Sequence, residues 1–83
     1  MKRIEVTVPA SAESEVVSFT AHLVHIASQF ISDMIIMDAR NSIDLKSVMG
    51  MMTIVISAGK TFTIEISGCD EDAAAAAIER YFA

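Results

Sequence analysis

The chain has 83 residues, enough for one domain that hides roughly 60% of the surface its unfolded form would expose. Hydrophobic residues make up 53% and charged ones only 20%, which excludes an intrinsically disordered segment. The formal charge of −5, with six Lys and Arg against eleven Asp and Glu, argues against a nucleic-acid binder, because phosphate contacts need clustered basic residues.

From Arg3 to Val8 the residues alternate, with Ile4, Val6 and Val8 on one side and Arg3, Glu5 and Thr7 on the other. That pattern predicts a half-buried strand. Pro9 stops it, and Ala10 to Glu15 reads as a small, polar connection. Met1-Lys2-Arg3 imitates the opening of a secretion signal, but Glu5 and Pro9 break any apolar region that would follow. From about Val16 to Phe30 the spacing turns helical: Phe19, Leu23, Ala27 and Phe30 form one stripe, with Thr20 and Val24 beside it. Asp33 to Asp38 is a short apolar run with the β-branched pair Ile35-Ile36, and it is expected to be a strand. Arg40-Asn41 then turns the chain into a second short strand, Ser42 to Leu45.

Ser47 has the chemistry of an N-cap, opening a short helix through about Met52. Thr53 to Ser57 alternates again, and Ala58-Gly59-Lys60 reads as a turn. Thr61 to Ser67 gives the clearest strand pattern, Phe62, Ile64 and Ile66 inward with Thr63 and Glu65 outward. Asp70 is placed to cap a last helix, with Glu71 and Asp72 at the positive end of its dipole. Ala74, Ile78, Tyr81 and Phe82 supply that helix's buried side. The order β-α-β-β-α-β-α predicts an α+β domain, an antiparallel sheet with helices on one face.

Two long stretches lack Asp, Glu, Lys and Arg: Val16 to Ser32 and Ser47 to Gly59. The first carries polar side chains throughout, and the second is too short to span a bilayer at ~1.5 Å per helical residue, so no membrane span is expected. Cys69 is the single cysteine, which cannot staple the fold and points to a reducing cytoplasm.

Leu45-Lys46-Ser47-Val48-Met49-Gly50-Met51-Met52, Ala58-Gly59, Phe62-Thr63-Ile64 and Gly68-Cys69-Asp70-Glu71 resemble the HPr phosphocarrier proteins of the bacterial sugar phosphotransferase system. Ala27-Ser28-Gln29-Phe30 extends the resemblance into the first helix, so it spans essentially the whole chain. It implies an open-faced β-sandwich, in agreement with the element order above. The family's chemistry rests on a histidine at the start of the first helix, in a segment Gly-x-His-x-Arg-Pro. Free backbone N–H groups and the helix dipole hold the phosphoryl group there, and the arginine neutralises it. Aligned without a gap from Ala27-Ser28-Gln29-Phe30, that segment falls on Ser14-Glu15-Val16-Val17-Ser18-Phe19. Val16 takes the histidine position and Ser18 the arginine position, with Ser14 for the glycine and Phe19 for the proline. Valine has no lone pair to attack phosphorus. The resemblance therefore implies a relative that has lost the carrier chemistry, neither an enzyme nor a histidine phosphocarrier, and that binds no cofactor.

His22 and His25 share roughly one helix face but lie about one and a half to two and a half turns from the helix start, where dipole and free amides act. Both read as solvated helix histidines; the alternative is a carrier that uses one of them as an unusual acceptor. They make no zinc site, since no third ligand stands at zinc-motif spacing. Ser47 is explained by capping alone. In one branch of the family the matching serine is also phosphorylated by a dedicated kinase, and some relatives act only through it. Phosphate at a helix start is electrostatically favoured, so Ser47 is the candidate for regulatory phosphorylation.

By position, the family's partner-binding surface falls on Val17, Ser18, Ala21, His25 and Ser28 of the first helix and Val48, Met49 and Met52 of the second. Unbranched methionine suits such a surface because it repacks against different partners. Met51 is the methionine expected in the core. Val16, Val17 and Phe19 bring apolar bulk near the same surface, and if exposed together they would ask for a partner, a second copy included. The partners implied are proteins: phosphotransferase-system enzymes, a serine kinase or a regulator. Cys69 has no adjacent base and reads as inert. Capping and dipole pairing account for Asp70, Glu71 and Asp72 without a metal.

Overall fold

The computed structural model describes residues 1–38, 41–53 and 56–83, the side chains of residues 13 and 14 excepted. Four strands form one antiparallel sheet: β1 (Lys2–Thr7), β2 (Asp33–Met37), β3 (Ser42–Asp44) and β4 (Thr61–Ser67), in spatial order β1-β4-β2-β3. Three α-helices accompany the sheet among the described residues, α1 (Val16–Ser28), α2 (Val48–Met51) and α3 (Glu71–Phe82).

Period-two alternation fixes the register. Ile4 stands opposite Ile64, Val6 opposite Phe62 and Ile36 opposite both Ile64 and Ile43, so each inward position meets another inward position. The side chains of Val6, Met34, Ile36, Phe62, Ile64 and Ile66 are buried beneath the helices, which contribute Leu23, Ala27, Met51, Ala74 and Ile78 to the same cluster. The other sheet face carries Arg3, Glu5, Thr7, Thr61, Asp33 and Ile35 and stays open to solvent. This is the antiparallel sheet with helices on one face that the element order predicted, and the open-faced sandwich that the resemblance implied. Arg3 and Glu65, directly opposite each other on that open face, form an ion pair through the guanidinium.

Several local expectations change. Ala10–Glu15 is a 3₁₀ helix that runs straight into α1, with the Ala12 amide donating to the Pro9 carbonyl at 3.1 Å and Ala12 itself buried. A six-residue polar stretch with one inward alanine has too little periodicity to announce itself. Part of the alternation expected over Thr53 to Ser57 lies outside the described residues, at 54 and 55; Ile56, just past them, is buried. Arg40 of the expected turn is likewise outside them, while Asp38 and Asn41 on either side exchange backbone hydrogen bonds of 2.9 and 3.3 Å.

Asp70 precedes α3, but its side chain does not cap that helix. The carboxylate instead accepts from the backbone amides of Ile31 and Ser32, both at 2.9 Å, and from the buried Ser32 hydroxyl. It thereby ties the α1–β2 loop to the start of α3. Gly68 makes the tie possible: a Cβ there would lie 2.5 Å from the Ser32 Oγ and 2.6 Å from its Cα. The amide of Gly68 donates to the Glu71 carboxylate at 3.3 Å, which closes the turn leading into α3.

Candidate functional site

Helix α1 forms because Thr20, Leu23, Val24 and Ala27 give it a continuous inward stripe at three- and four-residue spacing. Its opposite stripe runs Val17, Ala21, His25 and Ser28, and all four are exposed, as is Ser18. The helix begins at Val16, and its N-cap residue, Glu15, makes no side-chain capping bond. Val16 is half-buried and packs against the core rather than facing outward.

Phe19 is also half-buried. Its ring stacks on Tyr81 at 4.8 Å and meets Phe82 edge-on at 5.4 Å, while the Tyr81 hydroxyl donates to the Phe19 carbonyl at 2.7 Å. Burial raises the pKa of Tyr81, which keeps it a neutral donor. The expected patch of Val16, Val17 and Phe19 is therefore reduced to one member. Only Val17, at 69% exposure, stands free; α3 covers Phe19 and the core takes Val16.

Helix α2 is a single turn, too short to hold itself together. Three features pin it. The Ser47 side chain accepts from the Gly50 amide at 3.1 Å, satisfying an otherwise unpaired donor at the helix start. Met51 is fully buried in the core. Gly50 lets the turn sit close to β3, since a Cβ there would come within 2.9 Å of the Ile43 side chain. Just before the cap, the Lys46 ammonium donates to the Phe30 carbonyl at 2.7 Å and so joins the α2 segment to the C-terminal end of α1. Sequence reading did not find this link, because its partners are 16 residues apart.

With Met51 turned inward, Val48, Met49 and Met52 point outward, at 51%, 84% and 48% exposure. Since α2 packs against α1, the eight residues assigned to a partner surface are all exposed, seven on the two adjoining helices and Met52 at the C-cap of α2. Ser47 stands at the margin of this face, half-buried.

The two histidines have different surroundings. His25 is exposed and its Nε2 lies 3.3 Å from the Gln29 amide nitrogen. His22 lines a shallow depression of about 340 Å³ with Ser11, Ala12, Glu15, Ser18, Phe19 and Tyr81. No lysine or arginine lines that depression, and Glu15 adds a negative charge, so it is poorly suited to a phosphoryl group. Among the described residues no group of three or more His, Cys, Asp or Glu is arranged to hold a metal ion, and no helix is long and apolar enough to cross a membrane.

Comparison with known proteins places this geometry. The family model for the PTS HPr component phosphorylation site matches residues 3–83. The phosphocarrier protein HPr from Bacillus anthracis str. Ames is 27% identical, with 99% of this chain and 96% of that one covered at a TM-score of 0.88. Crh, a catabolite repression protein of Bacillus subtilis described as an intertwined dimer with a swapped domain, is 26% identical over 99% of this chain and 86% of its own, at 0.72. An HPr dimer from Thermoanaerobacter tengcongensis is 26% identical, covering 94% and 88% of the two chains, at 0.71. Proteins of this kind are phosphocarriers rather than enzymes and work with other proteins of the phosphotransferase system. With the match running over nearly its entire length, the chain belongs to the HPr family.

Proposed function

We propose that this protein is a regulatory or protein-binding HPr relative, acting in the cytoplasm through the α1–α2 surface and not as a histidine phosphocarrier. The observation that supports this reading is the start of α1, where Val16 is half-buried against the core and Ser18 is exposed; aligned without a gap to the family's segment, Val16 falls at the phosphoacceptor position and Ser18 at that of the arginine. Phosphoryl transfer needs a nucleophilic lone pair and a cation to steady the anion; Val16 supplies neither and Ser18 carries no charge. What remains is an exposed, methionine-bearing face whose side chains adapt to a partner surface.

Phosphorylation of Ser47 is the switch this reading favours. Phosphate there would place roughly −2 charge at the first turn of α2, where the helix end attracts anions and the cap geometry already directs an oxygen toward the Gly50 amide. It would mark the rim of the partner face while leaving the Met51 anchor untouched. Incubation with the family's serine kinase and ATP tests this directly: one phosphate per chain is expected, and none on Ser47→Ala. Absence of incorporation removes the switch. Transfer of phosphate from phosphoenolpyruvate through the system's first enzyme to a histidine of this chain removes the whole reading.

A further inference from the structure

All seventeen Asp, Glu, Lys and Arg of the chain lie outside residues 16–32 and 47–59. Folding brings the helices of these two stretches together, because α1 lies in the first, α2 lies in the second, and the two pack against each other. The result is a two-helix face without a fixed charge on a protein of net charge −5, with Val17, Val48, Met49 and Met52 exposed on it. Ordinary solvated helices carry charged residues on their outer side, and this face has none.

Charge complementarity decides what such a face fits. An acidic or basic partner would meet no charge within the face itself, the Lys46 ammonium at its edge being held by the Phe30 carbonyl, and would have to strip water from its own charges, which is costly without compensation. A face that is apolar and neutral is complementary to itself, and a two-fold axis sets the same patch on both copies. The seventeen charges then stay at the rim or beyond it, where salt screens their repulsion within about 10 Å. Resting on the reading of α1–α2 as a binding surface, we propose that a second copy of this chain covers it, so that face-to-face self-association and partner binding compete for the same residues. One helix of 13 residues and one of four form a contact below the standard interface size, so the association is expected to be weak, with Kd roughly micromolar to millimolar.

Sedimentation equilibrium over a concentration series up to roughly millimolar tests the proposal. The wild-type protein is expected to shift toward dimer, with no weakening as salt is raised, because the contact is apolar. Met49→Lys and Val17→Lys, both at freely exposed positions, are expected to weaken the dimer about tenfold or more by burying an unpaired ammonium. Ile35→Lys, on the open sheet face, is expected to leave it intact. A wild-type monomer throughout would overturn the proposal. So would a dimer that survives both helix substitutions, as a strand-swapped or sheet-face dimer would. Phosphoryl uptake is read separately by mass: a monomer that takes no histidine phosphate loses only the self-association, whereas phosphohistidine in a dimer loses only the regulatory reading.

Discussion

Met49 and Met51, two residues apart on one helical turn, are predicted to respond in opposite ways to truncation. Met51 is fully buried and Met49 is 84% exposed. Replacing a buried Met by Ala typically costs about 2–5 kcal/mol, from lost burial and the cavity left behind. Because α2 is only four residues long and can settle partly into the gap, the lower part of that range, about 2–3 kcal/mol, is expected for Met51→Ala. For a domain of this size each kcal/mol shifts Tm by roughly 4–8 °C, so Tm should fall by roughly 8–24 °C. Met49→Ala should stay within about 0.5 kcal/mol of wild type. Urea denaturation with a shared m-value, together with thermal melts, measures both. A loss below about 1 kcal/mol for Met51→Ala would refute the claim that this side chain anchors α2. An equal loss for Met49→Ala would refute the claim that Met49 belongs to the free surface.

Ser47→Ala should cost about 1 kcal/mol through loss of the cap to Gly50, and Ser47→Gly only a few tenths, as read by the same melts. Gly68→Ala should destabilise by at least about 1–3 kcal/mol, because its Cβ meets the Ser32 backbone as well as its side chain. The Ser32 hydroxyl, then the Ile31 amide, hold the Asp70 carboxyl below its ordinary value of 3.8. The native state therefore binds fewer protons than the unfolded state in that range; the stabilisation is complete above the ordinary value and is lost as pH falls below it. Asp70→Asn should lower stability at neutral pH and flatten the acid-side slope in urea titrations. A residual slope should persist, because the Met1 amino group and the Gly68 amide also lower the pKa of Glu71.

What could be read from the sequence was whatever is periodic. Strands β1 and β4 announce themselves by alternation, and their inward residues pair as that alternation requires. The inward stripe of α1 follows from three- and four-residue spacing, and the apolar side of α3 likewise, except that Tyr81 is only half-buried. Contacts between distant segments were not legible. Asp70 has every local mark of a helix cap, yet its hydrogen bonds go to residues 38 and 39 positions earlier, where Gly68 opens room for Ser32. Phe19 reads as surface bulk until Tyr81, 62 residues on, closes over it. Lys46 is an ordinary charge until the end of α1 presents the Phe30 carbonyl to it. The partner face was indicated by resemblance; its lack of fixed charge becomes a property of one surface only because α1 and α2 lie side by side in space.

The most direct test of the central claim is phosphoryl uptake from phosphoenolpyruvate and the first phosphotransferase enzyme, read by intact mass under conditions that preserve phosphohistidine. Wild-type protein and the double variant Val16→His, Ser18→Arg would be compared in the same reaction. The account predicts no added phosphate on the wild type and measurable phosphate on the double variant, located at position 16. Stoichiometric phosphate on His22 or His25 of the wild-type chain would contradict it.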